Sequence, residues 1–159
     1  SLGIMGFMDH PDQWSRLAGG RGMDDVAVDE VLRYTSPVNF FRRTATEDTE
    51  LGGQHIRAGD KVTLWYASGN RDEAVYEDPH RLDLTRSPNH HLAFGGGGAH
   101  YCLGANLARL ELKLMFEGLA RRMPDIASTG PADRLRMSFV NGIKHLPVEF
   151  TPSEPVLVP

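Results

Sequence analysis

The stretch Phe94-Gly95-Gly96-Gly97-Gly98-Ala99-His100-Tyr101-Cys102-Leu103-Gly104 decides how the fold of this chain is interpreted. It contains the single cysteine of the chain and leads into a long amphipathic segment that is typical of a helix. A thiol at a helix start lies near unpaired backbone N–H groups and the positive end of the helix dipole, which favour thiolate over thiol. Because a thiolate is a strongly donating metal ligand, we expect Cys102 to hold a metal.

The glycines of this stretch suit the close approach of a flat cofactor. Gly95 and Gly97 allow backbone conformations with positive φ, and Gly104 removes a side chain where the helix would press on the cofactor. The run is not a phosphate-binding loop, because no Gly-Lys-Ser or Gly-Lys-Thr follows it. It is not a dinucleotide-binding fingerprint either, because His100 or Tyr101 stands where the last glycine would be.

A structural zinc site is the alternative that these residues leave open. His90, His91, His100 and Cys102 lie close together in the sequence. Structural zinc sites with one cysteine are uncommon, however, and the usual paired ligand spacing is absent here. The spacing therefore favours a different cofactor over zinc.

The stretch resembles the haem-ligand signature of the cytochrome P450 superfamily, Phe-Gly-x-Gly-x-His/Arg-x-Cys-x-Gly. It matches at every fixed position, namely Phe94, Gly95, Gly97, His100, Cys102 and Gly104. The resemblance implies haem b (iron protoporphyrin IX) as cofactor, with Cys102 as the fifth iron ligand. In such proteins the thiolate donates electron density that favours O–O cleavage.

A second element is the pair formed by Glu30 and Arg33, which share one face of a predicted helix. Members of the family carry Glu-x-x-Arg at this distance before the cysteine, completed by an arginine from the loop before the ligand stretch. Arg81, in Asp78-Pro79-His80-Arg81-Leu82, resembles that third member. The resemblance implies a structural triad that locks the loop behind the haem.

Three further residues resemble the family's contacts to the haem propionates. Arg43 follows the predicted strand that skirts the haem, and His91 and His100 flank the glycine run. Propionates are anions at the edge of an apolar pocket, and burying them requires cationic or N–H partners. We interpret His90 as a surface residue.

Two segments resemble the stretches with which the C-terminal half of the family lines its substrate pocket. The segment from Phe139 to Pro147 is also similar to that of bacterial members that hydroxylate steroids or branched lipids. Plain core packing is the alternative role for Phe139. The candidate pocket residues are Val38, Asn39, Phe40, Phe139, Val140 and Asn141.

A basic group on the long helix predicts a docking patch for an acidic electron donor of the ferredoxin type. It comprises Arg109, Lys113, Arg121 and Arg122. Such charges raise association rates and are screened by salt. The alternative is an ordinary solvated helix face, with Glu111 and Glu117 nearby.

The bulk composition excludes several classes of protein. The chain has 159 residues, 40% of them hydrophobic and 24% charged, which is ordinary for one globular domain. Its net charge of −4 implies no attraction to nucleic acid or to an anionic membrane. No apolar run approaches the ~20 residues of a membrane-spanning helix, so we expect no membrane anchor in this segment. A single cysteine fits a reducing compartment, and we predict a cytoplasmic protein.

The predicted fold is mainly α with small β-sheets, the C-terminal part of the cytochrome P450 fold over residues 1–159. Helices are predicted near residues 1–8, 11–17, 24–35 and 103–122. Strands are predicted at 39–41, 49–51, 54–56, 61–65, 136–139 and 147–150, with a loop region at 67–93 and a frayed tail at 151–159. On the last long helix, Leu107, Leu110 and Leu114 line one side, and the apolar face is widened by Ala105, Ala108, Met115 and Leu119.

The resemblance implies a haem-thiolate monooxygenase that inserts one oxygen atom from O2 into a small apolar substrate such as a steroid, terpene or lipid. Electrons would come from NAD(P)H through a ferredoxin-type donor and its reductase. The family's acid and threonine on the oxygen-side helix have no counterpart here, and the chain starts at Ser1. We therefore expect the C-terminal portion of a longer protein, incomplete for turnover by itself. The alternative is a haem-binding module without oxygenase activity.

Overall fold

The computed structural model describes residues 1–154. Its helices are α1 (Leu2–Asp9), α2 (Pro11–Arg16), α3 (Asp25–Thr35), α4 (Tyr66–Gly69) and α5 (Ala105–Arg122), with a π-helical turn at Leu17–Arg21. Its strands are β1 (Phe40–Thr44), β2 (Thr49–Leu51), β3 (Gln54–Ile56), β4 (Lys61–Trp65), β5 (Ala127–Ser128), β6 (Asp133–Arg134), β7 (Ile143–His145) and β8 (Val148–Glu149). The predicted class, mainly helical with small β-sheets, is confirmed.

The core lies where α1, α2 and α3 meet the second half of α5. The ring of Phe7 packs against Trp14 and against Phe116, with centroid separations of 5.3 and 5.2 Å. Gly3 lets α1 approach α5, because a Cβ at this position would overlap the Phe116 ring. Leu82 is buried in the same cluster, so the loop before α5 is held to the helices by apolar burial.

Helix α3 begins and ends at clear signals in the sequence. The carboxylate of Asp24 accepts a hydrogen bond from the backbone N–H of Ala27 at 2.9 Å, which satisfies one of the free donors of the first turn. Ser36 adopts a φ of 40° and its N–H donates to the Leu32 carbonyl, so the helix ends before Pro37. The helix thereby carries Glu30 and Arg33 into the interior.

The strands form separate two-stranded antiparallel pairs. β1 pairs with β4 from Phe40 opposite Trp65 to Thr44 opposite Lys61. β2 and β3 form the hairpin predicted around Gly52-Gly53, where φ is 57° and 76°.

The C-terminal pairing differs from the prediction. β5 pairs with β8 and β6 with β7, whereas residues 136–139 form no strand. Strands of two or three residues are too short to show the alternation on which sequence prediction depends. Residues 151–154 have no regular secondary structure, and the rest of the predicted frayed tail, 155–159, lies outside the described residues.

The predicted apolar face of α5 is only partly buried in the described chain. Phe116 and Ala120 are buried, because α3, the π-helical turn and Phe7 of α1 pack on that side of the helix. Leu107, Leu110 and Leu114, which we name the leucine stripe, are 61%, 53% and 59% exposed. The helical period was therefore read correctly, but the stripe has no partner within residues 1–154.

Candidate functional site

The ligand stretch folds into a loop held by its own backbone. The N–H of Cys102 donates to the carbonyl of Phe94 at 3.0 Å, and the N–H of Tyr101 donates to that of Gly98 at 3.1 Å. φ is 92° at Gly95, 101° at Gly97 and 77° at Gly98. A Cβ on Gly97 would meet no atom of residues 1–154 within 4 Å, so the positive φ by itself requires glycine there.

Cys102 lies just before the first turn of α5. The helix starts at Ala105, two residues later than predicted, and the N–H of Ala105 donates to the Cys102 carbonyl at 3.2 Å. A Cβ on Gly104 would lie 3.9 Å from the Cys102 sulfur, so the space beside the thiol stays open. The cysteine is free and exposed.

Two cavities meet at this thiol. One, of about 390 Å³, is lined by Val38, Phe41, Arg43, Tyr66, Ala93, Phe94, His100 and Cys102. The other, of about 430 Å³, is lined by Leu32, Pro37, Val38, Ala93, Phe94, Cys102, Ala108, Glu111, Leu112 and Met115. The two share Val38, Ala93, Phe94 and Cys102, so a largely apolar space surrounds one soft donor atom.

Arg43 and His100 place nitrogen donors on the wall of the first cavity, as predicted for partners of an anion. Among residues 1–154 the guanidinium of Arg43 contacts the Arg42 carbonyl at 3.1 Å and the Phe41 ring at 5.9 Å, and no carboxylate neutralises it. An apolar macrocycle with a thiolate ligand and anionic edge groups needs this donor set. The residues present therefore fit haem.

His91 does not fit the predicted role of a propionate contact, because both of its ring nitrogens are already used. Its Nδ1 accepts the backbone N–H of Ala93 at 3.2 Å, and its Nε2 lies 3.2 Å from Oδ1 of Asp29. Burial lowers the pKa of His91 despite the opposing effect of Asp29, so the ring is neutral at neutral pH. The structure corrects this expectation.

Glu30 and Arg33 form the predicted pair, and both side chains are fully buried. Nε of Arg33 donates to Glu30 at 2.7 Å and Nη2 donates at 2.9 Å, so the pair is bidentate. The remaining donors of Arg33 reach the carbonyls of Asn70, Pro79 and Arg81. The pair thereby joins α3 to the loop that precedes the ligand stretch.

The third member of this cluster is Arg86 and not Arg81. Nε of Arg86 donates to Glu30 at 3.2 Å, and the Arg86 side chain is only 12% exposed. The guanidinium of Arg81 instead pairs with Asp12 at 2.8 Å, near the surface. Arg81 takes part through its backbone, because its carbonyl accepts from Arg33 and from Arg86. The path of the loop turns the Arg81 side chain outward.

The six candidate pocket residues come together as two paired segments. Val38 forms an isolated antiparallel bridge with Val140, and the N–H of Asn39 donates to the Phe139 carbonyl at 2.9 Å. Phe40 lies 6.5 Å from the Phe139 ring. Of these residues, Val38 lines the cavities at the thiol.

The other five pocket candidates do not themselves line the two cavities at the thiol. Phe139 packs at 5.2 Å on Phe41, which lines the cavity. The side chain of Asn141 donates to the Thr35 carbonyl at 3.2 Å and lines neither of the two cavities at the thiol. Its place in a substrate pocket stays a prediction.

The predicted docking patch loses one member. Nε of Arg109 donates to Asp29 at 2.8 Å, and its guanidinium lies 4.8 Å over the ring of Phe94. A charge held in this way is a structural contact and not a free surface cation. Arg121 and Arg122 are exposed, and Lys113 is half-buried.

Several residues of the site were not predicted. Asp29 and Asn89 are bound to partners far away in the sequence, and Arg86 takes the place predicted for Arg81. Tyr66 lines the cavity at the first residue of α4. The sequence does offer a signal for Arg86, because it is a second arginine in the loop that contains Arg81. For Asp29 there was none, because one acidic residue on a helix predicts only a solvated surface.

Zinc is not supported by the side-chain geometry. Within the described part of the chain, no three His, Cys, Asp or Glu side chains are grouped so that they could hold a metal ion. His91 is turned to Asp29, and His90 is exposed. Across residues 1–154, no helix is both long enough and apolar enough to cross a membrane.

Comparison with known proteins agrees with the geometry of the site. The family profile described as Cytochrome P450 matches residues 24–122. A steroid C26-monooxygenase from Mycolicibacterium smegmatis is 48% identical over 149 residues, which are 94% of this chain and 34% of that protein. A methyl-branched lipid omega-hydroxylase from Mycobacterium tuberculosis is 49% identical over 150 residues, 94% of this chain and 35% of that protein.

Solved structures give the same result for the fold. A Mycobacterium marinum cytochrome P450 in complex with pseudoionone has a TM-score of 0.86 and 47% identity, covering 93% of this chain and 36% of its own. A cytochrome P450 from Bacillus megaterium in complex with testosterone has a TM-score of 0.88 and 36% identity. The match covers 94% of this chain and 42% of that chain. This chain belongs to the cytochrome P450 family. It spans 34–35% of the length of the curated relatives described above.

Proposed function

We propose that this chain is the C-terminal, haem-binding portion of a cytoplasmic haem-thiolate monooxygenase. The complete protein hydroxylates an apolar substrate, a steroid, a terpene or a methyl-branched lipid, with O2 and with electrons from NAD(P)H. A ferredoxin-type protein and its reductase deliver those electrons. The substrate class is supported by two relatives, which are named for steroid and for methyl-branched lipid hydroxylation.

The observation that carries the proposal is the position of Cys102 where two largely apolar cavities meet. When bound, the haem supplies the redox and oxygen chemistry, and the protein supplies position and electrostatics. Cys102, the one cysteine of this chain, would hold the haem iron through its thiolate. Gly104 keeps the space beside that sulfur free of a side chain.

Arg43 and His100 bind the propionates in this proposal. Arg43 has a free positive charge on the cavity wall, and an anion there would form the charge-assisted bond that it lacks among the described residues. Phe94 and Val38 supply apolar surface beside the thiol, and with haem in place they would exclude water there, which strengthens electrostatic interactions. The cluster of Glu30, Arg33 and Arg86 fixes the loop behind the site.

The sequence also limits the activity that we expect of the isolated chain. The acid and threonine that the family uses on its oxygen-side helix have no match in this sequence. We therefore expect the isolated chain to lack turnover even if it binds haem. The alternative role, a haem-binding module without oxygenase activity, describes this chain alone and not the complete protein.

The test is the carbon monoxide difference spectrum of the reduced full-length protein and of Cys102→Ser. A Soret band at the red-shifted position of thiolate-ligated haem is expected for the unmodified protein and not for the variant, because an alcohol is a poor donor at neutral pH. An unshifted band in the unmodified protein would identify a different ligand. A red-shifted band that survives in Cys102→Ser would show that Cys102 is not the ligand.

A further inference from the structure

The ligand loop rests on a bridge between two helices that the proposed reaction does not use directly. Oδ1 of Asp29, on α3, accepts from Nε of Arg109, on α5, at 2.8 Å. The same oxygen lies 3.2 Å from Nε2 of His91, in the loop before the glycine run. We name these three residues the Asp29 bridge.

The hydrogen bonds fix the charge of each member of the bridge. Because Nδ1 of His91 accepts the N–H of Ala93, the ring proton lies on Nε2, which donates to Asp29. The His91 side chain is 5% exposed, and burial lowers its pKa, so the ring stays neutral. Arg109 stays protonated in any protein environment. The Asp29 bridge therefore contains one anion and one cation that balance each other.

Phe94 connects this bridge to the thiol. The guanidinium carbon of Arg109 lies 4.8 Å from the Phe94 ring centroid, and the rings of His91 and Tyr101 approach it at 5.8 and 6.3 Å. The Phe94 carbonyl accepts the N–H of Cys102 at 3.0 Å. The bridge thus holds the residue to which the backbone of the thiol is tied.

We propose that Arg109 is a positioning residue whose charge, balanced by Asp29, holds Phe94 and sets the electron density on the Cys102 thiolate. This inference rests on the proposed haem-thiolate function. Hydrogen bonds and charges around a metal ligand tune the reduction potential of the metal. The role is independent of docking, because the cation is committed to Asp29 and is only 28% exposed.

The Asp29 bridge predicts that removing its cation and removing its anion shift the haem midpoint potential in opposite directions, which a simple loss of structure does not predict. Arg109→Gln leaves the Asp29 anion unbalanced beside the loop that leads to the thiolate, which stabilises the oxidised haem and lowers its midpoint potential. Asp29→Asn leaves the Arg109 cation unbalanced, which stabilises the reduced haem and raises the potential. A side chain that served only to support the loop would shift both variants in the same direction.

The experiment is a spectroelectrochemical titration of the full-length, haem-loaded protein without substrate. The midpoint potential of Arg109→Gln is expected to lie below that of the unmodified protein, and the midpoint potential of Asp29→Asn is expected to lie above it. His91→Asn changes no charge and is expected to shift the potential least of the three. Lys113→Gln is the matched control, because it removes the same charge one turn further along α5 from a side chain with no bond to Asp29, and its shift is expected to be smaller than that of Arg109→Gln.

Each outcome decides between the two proposals. Shifts of opposite sign support the bridge, and shifts of equal sign, or none, overturn it. If Arg109→Gln does not retain haem, Asp29→Asn decides by itself, since an unchanged or lowered potential contradicts the proposal. If the unmodified protein lacks the red-shifted carbon monoxide band, it is the proposed function that fails, and the potentials are then not interpreted.

Discussion

At the scale of single residues, the carboxylate of Glu30 is surrounded by donors. It accepts from Arg33 through two nitrogens, from the backbone N–H of Asp83 at 2.9 Å, from Arg86 at 3.2 Å and from Asn89 at 3.0 Å. Arg33 in turn uses all of its N–H donors. A buried charge is tolerated when it is paired and fully hydrogen-bonded in this way.

Arg86 and Arg81 allow a direct test of this cluster. Arg86→Ala removes a donor from a buried carboxylate, and hydrogen bonds to charged groups contribute about 1.5–3 kcal/mol to stability. Arg81→Ala removes an exposed ion pair, so little measurable change is expected. Urea unfolding of the full-length variants, followed by circular dichroism, compares them. Equal effects of the two substitutions would contradict the assignment of Arg86 to the cluster.

Residue roles were predictable from sequence where a short motif carried them. Cys102, Glu30 and Arg33 lie at fixed spacings that one sequence reveals. The choice between Arg81 and Arg86 depends on the path of an irregular loop, which has no periodicity to read. Asp29 was not predictable, because its partners are 62 and 80 residues away along the chain.

At the scale of elements, the N-cap of α3 links stability to pH. The hydrogen bond from the N–H of Ala27 holds the pKa of the Asp24 carboxyl below its usual value. A carboxyl with a lowered folded-state pKa contributes stability that is present above its unfolded pKa and is lost as pH falls through the folded value. This contribution is therefore complete at neutral pH and disappears only in acid.

Asp24→Ala is expected to destabilise the full-length protein by about 1 kcal/mol at pH 7, as for other N-caps. The difference from the unmodified protein should shrink as pH falls below the usual range of an aspartate. Asp24→Asn keeps the capping oxygen without the charge, so it should lose less stability at pH 7 than Asp24→Ala does. Thermal unfolding at several pH values gives both results, and a difference that stays constant into acid would argue against the cap.

Gly3 and Gly118 are matched glycines in helices with opposite surroundings. Gly3→Ala places a methyl group on the Phe116 ring, and overpacking of this kind typically costs about 1–3 kcal/mol. Gly118→Ala meets no atom of residues 1–154 within 4 Å and should stabilise α5 by roughly 0.5–1 kcal/mol. The unfolding midpoint of the full-length protein should move in opposite directions. Stabilisation by Gly3→Ala would show that α1 does not pack closely on α5.

Elements were predictable where their signals are local. The Gly52-Gly53 hairpin and the period of α5 can be recognised within short windows of the sequence. The short C-terminal pairs were missed, because what selects them is a partner distant in sequence: β5 pairs with β8. The direction in which α5 presents its leucines depends on its neighbours and not on its own pattern.

At the scale of the whole molecule, the leucine stripe tests whether this chain is part of a larger protein. Leu110 is 53% exposed here. If the rest of the proposed protein covers the stripe, Leu110→Ala in the full-length protein should cost about 2–5 kcal/mol, as for buried leucines elsewhere. Leu51→Ala, on exposed β2, is the control and should cost much less. Equal costs in urea unfolding would mean that the stripe faces solvent in the complete protein as well.

The backbone conformation of Gly97 has a consequence for which enantiomer of an amino acid fits at this position. Its φ of 101° is unfavourable for L-amino acids, yet a Cβ there would touch no atom of the described residues within 4 Å. The mirror-image residue favours that backbone conformation, so D-alanine fits at a position where L-alanine is strained. Among the described residues, the constraint at Gly97 is therefore one of chirality and not of size, and ribosomal synthesis, which supplies only L-residues and glycine, leaves glycine as the unstrained choice.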